Sequence, residues 1–135
     1  MSQENVEIVR TAFQAYERGN FDEALASFDS DIVYKPAQEA PVYGRDAVRA
    51  SWERWVAEWD GMEMTTEEVI DAGDHVIHGI HFRGRGRGSG IVVEGRSFQV
   101  FTFRARKVVR WDEFSERSEA LEAVGLSEQD AHAGS

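Results

Sequence analysis

A carboxylate, an imidazole and an amide in the second half of this chain stand where strand alternation turns them toward an apolar face. Glu113 lies near the end of the run Val108-Val109-Arg110-Trp111-Asp112-Glu113-Phe114, and a period of two puts it on the same face as Trp111. Gln99 and Phe101 share one parity of the preceding run, Phe98-Gln99-Val100-Phe101-Thr102-Phe103. If the turn at Gly88-Ser89-Gly90 pairs residue 87 with residue 91, His81 faces Ser97 and Gly79 faces Gln99. His81, Gln99, Phe101, Trp111 and Glu113 then share one concave face. Such a set suits general acid–base catalysis: desolvation raises a carboxyl pKa and a protonated imidazole nearby lowers it. The reading predicts Glu113 and His81 as the catalytic pair. The bland alternative is a partly wet cavity holding an inert Glu–His hydrogen bond.

Other groups invite chemistry and lose to plainer readings. Arg83, Arg85 and Arg87 share the parity of His81 and suit an anionic ligand group, but an exposed hairpin paired with acids is the commoner outcome. The glycines between them alternate along a strand and precede no helix, so they are not a dinucleotide motif. His75, His78 and His81 are a poor metal set, because His78 points away from the other two, and those stand roughly 20 Å apart in an extended strand. No metal and no cofactor is expected. Tyr16, Trp52, Trp55 and Trp59 read as helix core, with Tyr16, Trp55 and Tyr34 as candidate ligand contacts where core and cavity wall coincide. Lys35, next to Pro36, reads as an exposed lysine.

These residues need a scaffold. Val6, Val9, Phe13 and Tyr16 mark one face of a helix that Gly19 ends. Asn20 and Glu23 form a capping-box pattern opening a short helix that buries Leu25 and Phe28. Ile32-Val33-Tyr34 reads as a strand and Ala37–Gly44 as a loop. Asp46 opens a third helix with the stripe Val48, Trp52, Trp55, Val56 and Trp59. After Gly61 the period becomes two, giving strands over 62–70, 76–87, 91–104 and 107–115, with a turn at Asp71-Ala72-Gly73-Asp74. Glu119–Val124 forms a closing helical turn, and residues 127–135 a polar tail. Helices first and a meander after them define an α+β domain over residues 1–126, with helices on one face of a curved antiparallel sheet. Ile80, Phe82, Phe98, Val100 and Thr102 fall on the opposite parity. An apolar outer face of that size predicts a homodimer formed through it.

With 135 residues the chain holds one domain with a true core. A net charge of −10 opposes general nucleic-acid or anionic-membrane binding. The absence of cysteine excludes disulfides, thiolate metal sites and thiol nucleophiles. No run approaches the roughly 20 apolar residues of a membrane span, and the polar N-terminus lacks a signal-peptide layout, so a cytoplasmic location is expected.

Several segments together resemble a known family. Tyr16-Glu17-Arg18-Gly19-Asn20, Asp29-Ser30-Asp31-Ile32-Val33-Tyr34 and Tyr43-Gly44-Arg45-Asp46-Ala47-Val48-Arg49 look like the start of a SnoaL-like domain of the nuclear transport factor 2-like superfamily. Asp71-Ala72-Gly73-Asp74, Arg83-Gly84-Arg85-Gly86 and Thr102–Val109 extend the likeness, which runs from about Glu4 to Leu126. The resemblance implies a cone-shaped α+β barrel around a cavity, usually a homodimer. It also implies activities from polyketide cyclisation and steroid isomerisation to epoxide hydrolysis and plain ligand binding. The steroid isomerase tyrosine falls at Ala12, its base at Lys35 and its hydrogen-bond donor at Gln99, so that set is replaced. Of the limonene-type epoxide hydrolase triad, one aspartate aligns with Glu113, the other near His81 and the arginine near Gly79. The expected protein binds a small apolar or polycyclic molecule as a cofactor-independent isomerase, cyclase or hydrolase. The alternative is a non-catalytic ligand-binding or dimeric interaction domain.

Overall fold

The computed structural model describes residues 2–129, so most of the polar tail, residues 130–135, lies outside the described residues. The first helix, α1 (Ser2–Glu17), buries Val6 and Val9 as the i, i+3 spacing requires, and Gly19 follows it at φ +76°. Asn20 caps α2 (Phe21–Leu25), its side chain accepting from the Glu23 amide at 3.1 Å. Leu25 is buried there, but Phe28 is not part of that helix: it opens strand β1 (Phe28–Lys35). A short strand the sequence reading missed, β2 (Val42–Tyr43), pairs with β1. In α3 (Arg45–Ala57) Val48 and Trp52 are buried, whereas Val56 is 50% exposed and Trp59 belongs to the next strand.

Four long strands follow: β3 (Trp59–Ala72), β4 (His75–Gly86), β5 (Val92–Arg104) and β6 (Lys107–Phe114), then α4 (Arg117–Ala123). The sheet order is β2-β1-β6-β5-β4-β3. It is curved and unclosed, and it is mixed rather than purely antiparallel, because β1 runs parallel to β6. That pairing joins residues about 80 apart in sequence, beyond the reach of local patterning. The helices α1–α3 lie against the concave face, and the main core fills the space between.

The β4–β5 register differs from expectation by one residue. Gly86 donates to the Ile91 carbonyl at 2.8 Å and Gly90 to the Gly86 carbonyl at 2.9 Å, so the closing loop starts earlier than Gly88. Arg85 therefore pairs with Val92, His81 with Arg96, and His78 with Gln99. A one-residue slip turns every side chain of a strand to the other face. Ile80 and Phe82, expected outside, line the concave face, while His81 and Arg83 lie on the outer face.

The outer apolar face is also smaller than expected. Phe98 and Val100 are buried with Ile77 beneath Ala120 and Leu121 of α4, and Phe114 packs against the same cluster. Charged pairs lie on the outer face, Arg96–Glu67 at 2.7 Å and His81–Glu94 at 2.7 Å, and Arg117 of α4 pairs with Glu68 at 2.6 Å. The apolar argument for joining two chains through this face falls away. No helix among the described residues is long and apolar enough to cross a membrane.

Candidate functional site

Between the concave face and α1 and α3 lies a cavity of about 460 Å³. Its polar wall is built on one rung of the sheet. Val69, His78, Gln99 and Glu113 stand directly opposite one another on β3, β4, β5 and β6. His78 and Glu113 are thus two strand spacings apart, about 10 Å between their backbones. The neighbouring rung carries Val76, Phe101 and Trp111, and Trp111 continues to Tyr34 on β1. Glu113, Gln99, Phe101, Trp111, Trp55, Tyr16 and Tyr34, all expected at the site, line the cavity.

His81 does not. It sits on the outer face with its Nε2 2.7 Å from a Glu94 carboxylate oxygen. Its place is taken by His78, which is 3% exposed. The His78 Nε2 lies 2.9 Å from the Thr66 hydroxyl, and the Phe13 ring meets it edge-on at 4.6 Å. Burial first, and the positive charge of Arg10 second, lower the His78 pKa to about 4, so the imidazole is neutral near pH 7.

Glu113 is half-buried at the end of β6. One oxygen accepts from the Ala37 amide at 3.3 Å and the other from the Ser97 hydroxyl at 3.5 Å. The Ser97 contact ends a directional chain. The Trp111 indole donates to the Gln99 carbonyl oxygen at 2.6 Å, and the Gln99 amide donates to the Ser97 hydroxyl at 2.6 Å. With that oxygen occupied as an acceptor, the Ser97 proton is free to point at Glu113. Gln99, expected as a polar anchor for a ligand, instead spends its amide on protein partners.

Two phenols complete the surroundings. The Tyr34 ring stacks on Trp111 at 3.8 Å, and burial first, then the Glu113 charge, push its pKa well above the ordinary phenol value. Burial and the same charge push Tyr16 up to about 12. Both hydroxyls therefore stay protonated donors across the neutral range. Tyr16 packs edge-on against Trp52 at 5.1 Å, and Trp52, Phe28 and Phe101 join Trp111 in one aromatic floor. Pro36–Ala40 and Ser51, Arg54 and Trp55 of α3 also line the cavity. Beside Pro36 the Lys35 ammonium donates to the Pro36 carbonyl at 2.6 Å. Arg87 of the arginine stripe pairs with Asp60 at 3.1 Å.

His78, Thr66 and Ser97 are the site groups that sequence reasoning missed. The signal for His78 was available: Val76, His78, Ile80 and Phe82 form the more apolar alternate set of β4, and Gly79, His81, Arg83 and Arg85 the more polar one.

A sheet that curls around a cavity, closed by three helices on its concave side, is the nuclear transport factor 2-like α+β cone. The profile of the SnoaL-like domain matches residues 9–111, and the chain belongs to that family. No curated protein matches it. Among solved structures it is similar to a nuclear transport factor 2-like protein from Burkholderia thailandensis, with 26% identity, a TM-score of 0.77, and coverage of 83% of this chain and 90% of that one. A putative SnoaL-like polyketide cyclase from Jannaschia shares 20% identity, with a TM-score of 0.78 and coverage of 90% and 92%. A ketosteroid isomerase-like fold from Catenulispora acidiphila, solved with trimethylamine, shares 22% identity, with a TM-score of 0.72 and coverage of 89% and 93%.

Proposed function

We propose that the protein binds a small molecule in the aromatic cavity and acts on it by cofactor-independent acid–base chemistry, in the manner of an isomerase, cyclase or hydrolase. Glu113 is the proton acceptor. Tyr16 donates a hydrogen bond to a ligand oxygen, and neutral His78 supplies a second polar contact on the same wall. Phe101, Trp111, Trp55 and Tyr34 shape the apolar body of the pocket. The carrying observation is a carboxylate set at the end of an aromatic cavity between neutral donors, Ala37 and Ser97, with two protonated phenols close by. General-base help of this kind contributes about 10²–10⁴-fold. A panel of carbon acids, amines and epoxides identifies turnover, and Glu113→Gln should then lower kcat/KM by about that factor. Turnover left intact by the substitution removes the carboxylate from the role.

A second reading rests on the same donors. Glu113 already accepts from Ala37 and Ser97, as a carboxylate kept for recognition would. The ligand is then bound and released unchanged, and the trimethylamine held by the Catenulispora protein supports ligand occupancy as a use of this fold. Saturable binding with no product after long incubation selects this reading.

A further inference from the structure

The cavity is lined by the Glu113 carboxylate, and its two guanidinium groups, Arg54 and Arg96, are exposed and do not pair with it. Among the described residues, no ion pair includes Glu113. The other charged groups of the lining, Glu39, Arg54 and Arg96, are exposed. Arg54 donates to Ser51, and Arg96 is held by Glu67. Lys35 turns its ammonium to a backbone carbonyl. His78 is on the right wall but neutral. Glu113 is therefore met by neutral donors alone, which leave its net charge unbalanced in apolar surroundings.

The walls favour the same sign of ligand. Tyr16, Trp52, Phe28 and Trp111 meet in edge-on and tilted contacts, and aromatic faces carry negative potential that attracts cations. A net charge of −10 raises the local concentration of cations around the whole molecule. A carboxylate or phosphate placed beside Glu113 would meet like charge, and the two guanidinium groups of the lining are exposed, with Arg96 held by Glu67.

We infer that the ligand presents a protonated amine to Glu113, with an apolar body against the aromatic floor. This rests on the reading of the cavity as the ligand site. In that pair the ammonium keeps its proton and donates to the Glu113 carboxylate in a charge-assisted hydrogen bond.

Three probes of one size and shape test this: 2-phenylethylamine, 2-phenylethanol and phenylacetate. Quenching of Trp52, Trp55 and Trp111 fluorescence reports occupancy, and calorimetry gives affinity. At pH 7 the amine should bind at least about ten-fold more tightly than the alcohol, as a charge-assisted hydrogen bond allows, with the carboxylate weakest. Glu113→Gln should remove the difference between amine and alcohol. An alcohol that binds as tightly as the amine overturns the inference and leaves the cavity reading standing. An amine preference that survives Glu113→Gln overturns it too. If no probe binds at millimolar concentration, both readings fall. The comparison among probes is made on the unaltered protein, so it holds even if the variant folds poorly.

Discussion

Acidification should weaken this protein through His78, by an amount the buried imidazole fixes. Its folded-state pKa is lowered from 6.5 to about 4, chiefly by burial and then by Arg10. Between those values the unfolded chain binds the proton and the folded one does not, so stability falls as pH falls. The full contribution is present above pH 6.5, shrinks through the window and is gone below about pH 4. Over the whole window the loss is on the order of 3 kcal/mol, at 1.36 kcal/mol per pKa unit. Between pH 7 and pH 5 it amounts to about 2 kcal/mol, a large share of a small domain's stability. The groups facing the ring explain why the folded state resists the proton. The Thr66 hydroxyl and the Phe13 edge supply no negative charge, and Glu113 stands about 10 Å away along the rung. The assay is urea unfolding at half-unit steps from pH 7 to pH 4.5, for the protein and for His78→Leu, with His78 titrated directly by NMR of its ring C–H signals. The pH slope unique to the parent protein is the His78 contribution. Identical slopes for the two proteins, or a His78 titration midpoint near 6.5, would refute the reasoning.

Leu121→Ala should destabilise by about 2–4 kcal/mol, since the side chain is 1% exposed and caps Ile77, Phe98 and Val100. Denaturant midpoints give the loss, and dye binding by the folded variant reports the uncovered sheet; a change under 1 kcal/mol would show that α4 does not seal that face. Trp111→Phe should keep the ring packing but orphan the Gln99 carbonyl oxygen, costing about 1–3 kcal/mol. Pairing it with Gln99→Leu tests the link: the double variant should lose clearly less than the sum of the singles, and strict additivity would dissolve the proposed chain.

Local signals in the sequence were read well where one segment carries its own instructions. Gly19 and the Asn20 cap end one helix and start the next, and Gly73 turns β3 into β4 at φ +77°. Glu113 and Trp111 were placed on the cavity face by the alternation within β6 itself, and a one-residue register shift between Thr102 and Phe103 brings Gln99 opposite Glu113. The β4–β5 hairpin defeated the same logic. Its loop was counted from Gly88, whereas the backbone closes at Gly86 and Ile91, and that single residue exchanged His81 for His78. The hydrophobic alternation of β4 pointed the right way and was outweighed by the turn. The covering of Phe98 and Val100 by α4, and the parallel pairing of β1 with β6, arise from long-range packing that no local pattern encodes.

The same hairpin carries an evolutionary consequence. The register set by the loop beyond Gly86 decides which alternate set of β4 side chains faces the cavity. The present length shows His78, Ile80 and Phe82 to the ligand. Loss or gain of one loop residue that was absorbed as a slip of β4 would show Gly79, His81 and Arg83 instead. A neutral, apolar wall would become a cationic one, and the proposed preference for amines would give way to one for acids. Such an indel would change the chemistry of the cavity in one step, with no substitution inside it.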